Sequence, residues 1–155
     1  FSGRLMALAH AHELVAQSKG EAIRLLDALR AGVADARDDQ LSLHGPEVRL
    51  SAETASNMVL AAHELAANAL NHGALASPGG RVEISWLVAG GQLELEWREL
   101  GGTITDIAGP PGFGFRMLQT GLPRSLAGVA NLDLSPDGLR YRVFAPLSAA
   151  IRADL

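Results

Sequence analysis

The chain has 155 residues, 48% of them hydrophobic, enough for one domain with a real core, alone or with an appendage. Its formal net charge is −4, which argues against the basic surface a broad nucleic-acid footprint needs, and with no Cys it has neither disulfides nor thiolate metal sites. No apolar run reaches the ~18 residues of a membrane span, and no signal-peptide pattern is present. Phe1 is not an initiator Met, so an excerpt of a longer chain, or a processed product, is expected.

Residues 1–18 read as a helix in which Leu5, Leu8, Ala9, His12 and Val15 recur at three- and four-residue spacings. So strong a stripe on so short a piece implies a partner helix upstream. Lys19-Gly20 ends it, and residues 21–36 form a second helix with Ile23, Leu26, Leu29 and Val33 on its buried side. Residues 40–44 alternate as a half-buried strand does, Gly45-Pro46 turns the chain, and 47–50 form another short strand. Ser51 is placed to cap a long helix that runs to about His72, with Gly73 at its C-terminal end.

Residues 81–89 and 92–100 are two strands joined by Gly90-Gly91, a hairpin signal. Residues 101–114 form a loop rich in glycine and proline, and 115–125 a short helix. Residues 129–134 and 139–145 form a second hairpin, and 148–155 a fraying tail or short helix. Helices and antiparallel hairpins mixed without βαβ alternation give an α+β two-layer sandwich, a mixed sheet with helices on one face.

The long helix is the unusual element. At about 100° per residue, Asn57, Glu64, Asn68 and Asn71 fall within about 60° of one another. Residues 51–76 contain no Lys or Arg. Three amides and a carboxylate suit a metal ion, a water or a ligand better than bulk solvent. Asn68 offers an oxygen to a hard cation such as Mg²⁺, and Glu64 a group to orient or deprotonate a water or hydroxyl. The plain alternative is that these residues cap strands or bond a loop. His63 falls about 120° from the stripe and reads as a packed, hydrogen-bonded histidine that positions a neighbour.

Two further stretches carry chemistry. In Trp97-Arg98-Glu99-Leu100-Gly101-Gly102 a strand ends in a carboxylate and two glycines, which let a ligand approach the backbone. The carboxylate suits an exocyclic amine of a base. Gly112-Phe113-Gly114 leads into a helix start whose N–H groups attract anions, with Arg116 in the first turn. Each alone reads as well as an ordinary turn. Together, in chain order, they offer cation, base and phosphate sites, as nucleoside triphosphate binding requires. Neither a Walker loop nor a Rossmann glycine motif is present.

His63-Glu64-Leu65-Ala66-Ala67-Asn68-Ala69, followed by Asn71-His72-Gly73-Ala74-Leu75, resembles the N box of the HWE subgroup of bacterial sensor histidine kinases. Trp97-Arg98-Glu99 resembles that subgroup's Trp-x-Glu signature and Gly112-Phe113-Gly114 its second glycine box. The resemblance covers nearly the whole chain, and implies a Bergerat-type (GHKL ATPase) fold for residues 19–148. Residues 1–18 would be the second helix of a dimerisation hairpin and 149–155 a C-terminal tail.

By motif position the resemblance implies that Asn68 coordinates Mg²⁺ against the triphosphate. Glu64, with the signature His63, would form the catalytic pair, and Glu99 would take the adenine-reading place that an Asp holds in most relatives. Asn71, His72, Gly101, Gly102, Gly112, Phe113 and Gly114 would complete the ATP site. The implied activity is transfer of the ATP γ-phosphate to a histidine outside these residues, and thence to a response-regulator receiver domain. A cytoplasmic bacterial protein, homodimeric at full length through its phosphoacceptor hairpin, is implied too. The subgroup usually has Lys-Tyr at Asn71-His72, and Pro at Thr103. The phosphoacceptor segment is absent from these residues. A nucleotide-binding pseudokinase or scaffold, and a GHKL ATPase, are the alternatives.

Overall fold

The computed structural model describes residues 2–102, 116–135 and 138–153. Helix α1 spans Ser2–Ser18, strand β1 Ile23–Arg24 and helix α2 Leu25–Gly32. A 3₁₀ turn, Asp38–Gln40, leads into β2, Leu41–His44, then β3, Val48–Leu50, and the long helix α3, Ala52–His72. A second 3₁₀ turn, Ala74–Ala76, precedes β4, Arg81–Ala89, and β5, Gln92–Leu100. A π-helical turn, Met117–Gly121, runs into α4, Leu122–Ser125. Strands β6, Val129–Ser135, β7, Gly138–Pro146, and β8, Ile151–Ala153, complete the described chain.

The main sheet has the order β2-β4-β5-β7-β6. The β2–β4 pair is parallel and every other pair in it antiparallel, so the sheet is mixed, as expected. One face alternates inward along β4 and β5 (Val82, Ile84, Trp86; Leu93, Leu95, Trp97) and is buried under helices. The expected Gly90-Gly91 turn is borne out with φ of +60° and +73°, the double left-handed turn that matches strand twist.

Helix α3 is the centre of the helical layer. Its buried residues are Thr54, Ala55, Met58, Val59, Ala61, Ala62, Leu65, Ala66 and Ala69. Small alanines let other helices come close: a Cβ on Gly32 of α2 would stand 2.5 Å from the Ala62 Cβ and 2.7 Å from the Val59 carbonyl oxygen. With so much of its circumference buried, only a narrow polar stripe is left. Ser51 caps the helix, its hydroxyl accepting from the Thr54 N–H at 3.4 Å.

Four sequence expectations change. Helix α2 begins at Leu25, four residues later than expected, because Ile23 and Arg24 pair as a strand with β3 (Ile23 opposite Leu50). The C-terminal stretch is not a fraying tail: Ile151 is fully buried and lies opposite Leu50, closing a small antiparallel sheet β1-β3-β8. On α1, Ala7 and Ala11 are buried, whereas Leu5 and Leu8 of the expected apolar stripe are exposed. The expected helix at 115–125 is, over its described residues, mainly the π-helical turn and α4.

Gly73 ends α3 as expected, but for another reason. Its φ is −131°, so it is not a left-handed cap. A Cβ there would stand 2.3 Å from the Glu99 Oε1. The glycine makes room for a carboxylate from β5.

Candidate functional site

The C-terminal end of α3 and the C-terminal end of β5 meet at Glu99. This carboxylate is 2% exposed and points to the helix side of the sheet, on the same face as Trp97. Its Oε1 accepts the Ala74 backbone N–H at 3.0 Å, and its Oε2 accepts the Trp97 indole N–H at 3.1 Å. Burial raises its pKa above the ordinary 4.5, and those two hydrogen bonds oppose the rise by favouring the charged form. Each oxygen has one further lone pair, so the carboxylate has capacity left for a donor from a ligand.

Backbone fits backbone around this carboxylate. A Cβ on Gly102 would stand 2.4 Å from the Ala74 Cα, and one on Gly80 only 1.7 Å from the Ala74 carbonyl oxygen. Gly101 has a φ of +73°, which favours glycine, and presses against the Gly79 carbonyl. The buried Gln40 holds the same turn from below, its amide donating to the Ser77 and Gly80 carbonyls at 3.0 and 2.9 Å. The glycines after Glu99 are thus pinned to the turn after α3. On the adjoining element, the buried Tyr141 hydroxyl donates to the Leu118 carbonyl; burial raises its pKa.

The other expected site residues lie along α3. Asn68 and His72 are half-buried and Asn71 is exposed. Glu64 is half-buried and forms an ion pair with Arg4 of α1, Nε to Oε1 at 2.8 Å. His63 sits against α1: a Cβ on Gly3 would stand 3.2 Å from its Nε2. His63, Glu64 and Asn71 share a groove of about 490 Å³ with Arg4 and Asp35. The structure therefore brings Glu99, Gly101 and Gly102 together at one place and His63, Glu64 and Asn71 at another, with α3 joining the two. Gly112, Phe113 and Gly114 lie outside the described residues.

Sequence reasoning missed Arg4, Gln40 and Ala74. Arg4 lies sixty residues from Glu64, and Gln40 thirty-seven and forty from its two carbonyls. Ala74 contributes a backbone N–H, which no side-chain pattern reveals. Trp97 had a signal, since it stands in the Trp-x-Glu motif two residues before the carboxylate it bonds.

Comparison with known proteins fits this architecture. The model of the histidine kinase-like ATPase domain matches residues 26–123, and that of the HWE histidine kinases matches residues 1–47. The chain belongs to the histidine kinase-like ATPase domain family. That membership implies ATP binding. A blue-light-activated histidine kinase of Brucella anthropi is 30% identical over 162 residues, covering 100% of this chain and 33% of that protein. Blue-light-activated histidine kinase 1 of Erythrobacter litoralis is 33% identical over 153 residues, covering 94% of this chain and 42% of that protein. The chain thus spans a third to two fifths of these relatives.

Among solved structures, the histidine kinase domain of an Erythrobacter litoralis blue-light-activated histidine kinase has the same fold, with a TM-score of 0.74 at 23% identity. That match covers 94% of this chain and 74% of the other. The histidine kinase domain of the Escherichia coli osmosensor EnvZ matches with a TM-score of 0.56 at 18% identity, covering 88% of this chain and 93% of the other. Among the described residues no helix is long and apolar enough to cross a membrane.

Proposed function

We propose that this chain is the Mg–ATP-binding catalytic domain of a two-component sensor histidine kinase. In this reading the γ-phosphate of ATP passes to a histidine outside these residues, and thence to an aspartate of a response-regulator receiver domain. A cytoplasmic protein, homodimeric at full length through its phosphoacceptor hairpin, goes with it. The observation that carries the reading is Glu99, a carboxylate buried at a strand end, with one hydrogen bond to each oxygen and two tightly packed glycines beginning two residues on. Such a group suits the exocyclic amine of adenine, because a buried acceptor is costly unless donors satisfy it.

From that end, α3 leads to the phosphates. Asn68 is one helical turn from Glu64, and its amide oxygen suits a hard cation that keeps waters and uses phosphate oxygens as its other ligands. The residues fit Mg²⁺, which when bound neutralises phosphate charge during transfer. An incoming imidazole nitrogen bonds to the γ-phosphorus as the bond to the β–γ bridging oxygen breaks, and ADP leaves. Glu64 orients the imidazole and receives its proton. Asn71 and His72 flank the phosphates, and His63 holds α3 against α1. Gly101 and Gly102 frame the adenine end of the nucleotide site, and the roles of Gly112, Phe113 and Gly114 rest on the motif resemblance alone.

Calorimetric titration of the chain with ATP, with and without Mg²⁺, tests the reading. Binding that strengthens with Mg²⁺ is expected, and no binding up to millimolar ATP overturns it. The neutral Asn71, where the resembling subgroup carries Lys, favours a second reading, a pseudokinase that binds nucleotide without turning it over. An acid-labile phosphate appearing on the full-length protein from labelled ATP separates the two.

A further inference from the structure

We infer that Arg4, on the N-terminal helix α1, is a positioning residue of the phosphate end: it neutralises Glu64 so that a polyphosphate can approach α3. The inference rests on the reading of α3 as the floor of a nucleotide site, and goes beyond it by making α1 part of that site.

The first turn of α1 meets α3 at residues 63 and 64, where Gly3 abuts His63 and Arg4 reaches Glu64. The Glu64 side chain is only 13% exposed, whereas that of Arg4 is 46% exposed. The guanidinium therefore sits at the mouth of the groove and the carboxylate within it. Among the described residues that line this groove, Arg4 is the one permanent cation, against the carboxylates of Asp35 and Glu64. Asn71 lines the same groove and adds no charge. Without Arg4, a phosphate arriving beside Asn71 would meet two carboxylates, Asp35 at the exposed rim and the half-buried Glu64, and like charge would repel it.

With Arg4 in place, the Nε–H bond at 2.8 Å holds Glu64 in one position and cancels its charge. The guanidinium has further N–H groups and no acceptor. The N-terminal helix supplies from outside α3 the positive charge that α3 itself lacks.

The test measures ATP and ADP affinity of the 155-residue chain in Mg²⁺ at low salt, where charge effects are largest. Wild type is compared with Arg4→Ala, Arg4→Lys and the double variant Arg4→Ala/Glu64→Gln. Arg4→Ala should weaken ATP binding about tenfold and ADP binding much less, because ADP lacks the terminal phosphate. Arg4→Lys should keep most of the affinity. The double variant should regain it, since removing the carboxylate's charge removes the need for its neutralisation. A purely structural role would weaken ATP and ADP equally and would not be rescued by Glu64→Gln, so that pattern overturns the inference. Tighter ATP binding by Arg4→Ala also overturns it, making the pair a latch. A wild type that binds ATP as well as Arg4→Ala does overturns this inference alone, and a wild type that binds neither nucleotide overturns it together with the proposed function. Melting temperatures of the four proteins exclude misfolding as the cause.

Discussion

Glu99 answers to two opposing demands. Burial favours its neutral form, whereas the Ala74 and Trp97 donors, and an adenine amine if one arrives, favour the carboxylate. Because its folded pKa is raised above the ordinary 4.5, the folded state binds more protons than the unfolded chain in the window just above that value. Stability from this group is therefore greatest below the window and falls as pH rises through it. Glu99→Gln removes the titration, but turns an NH₂ toward one of two N–H donors, which costs about 1–3 kcal/mol. Thermal melts of both proteins from about pH 4 to 7 should show the wild-type advantage shrinking as pH rises. A difference constant with pH would mean that Glu99 has the same pKa folded and unfolded. Asn68→Ala makes a separate prediction: Mg²⁺-dependent ATP affinity should vanish while the melting temperature stays within a few degrees. Unchanged affinity would place the cation elsewhere. The place of Glu99 at a strand end followed by glycines was legible in the sequence, because its motif neighbours are close along the chain. Arg4 was not legible, because nothing near position 4 reports a carboxylate sixty residues away.

Elements whose signals are local came through best. The β4–β5 hairpin is where Gly90-Gly91 and the alternating side chains place it, and α3 starts at its Ser cap and stops at Gly73. Elements that depend on distant partners were misread: two- and three-residue strands such as β1 and β8 are strands only because β3 lies between them. The apolar spacing on α1 was real, yet the face packed inward is that of Ala7 and Ala11, since α3 needs small residues at a close helix crossing. The α2–α3 crossing gives a prediction of the same kind. Gly32→Ala should gain up to about 1 kcal/mol in helix propensity. Against that stands a Cβ placed 2.5 Å from the Ala62 Cβ and 2.7 Å from the Val59 carbonyl oxygen. Overpacking of this sort costs about 1–3 kcal/mol, and with backbone on one side it cannot be relieved by a rotamer change. The clash wins, and the melting temperature should fall by a few degrees. A rise would show that α2 shifts off α3 freely.

At the scale of the whole molecule, the small sheet and the proposed nucleotide site lie toward opposite ends of one helix. Helix α3 has 21 residues and so is about 31 Å long. At its N-terminal end the small sheet ties the chain's last described strand to its beginning: Ile151 and Ile23 both pair with Leu50, and the Ser51 N–H donates to the Ala150 carbonyl at 3.0 Å. At its C-terminal end lie Asn68, Asn71, Glu99 and the glycines. Ile151 is fully buried, so Ile151→Ala leaves a cavity and should cost about 2–5 kcal/mol. The loss falls on the small sheet and the start of α3, while the hydrogen bonds that hold Glu99 are untouched. Well below its lowered melting temperature, the variant should bind ATP with wild-type affinity. Denaturant titration followed by circular dichroism reads the first effect and calorimetry the second. Unchanged stability would return residues 149–155 to the role of a loose tail. Weakened ATP binding would mean that α3 transmits strain along its whole length, so that the two ends are not independent.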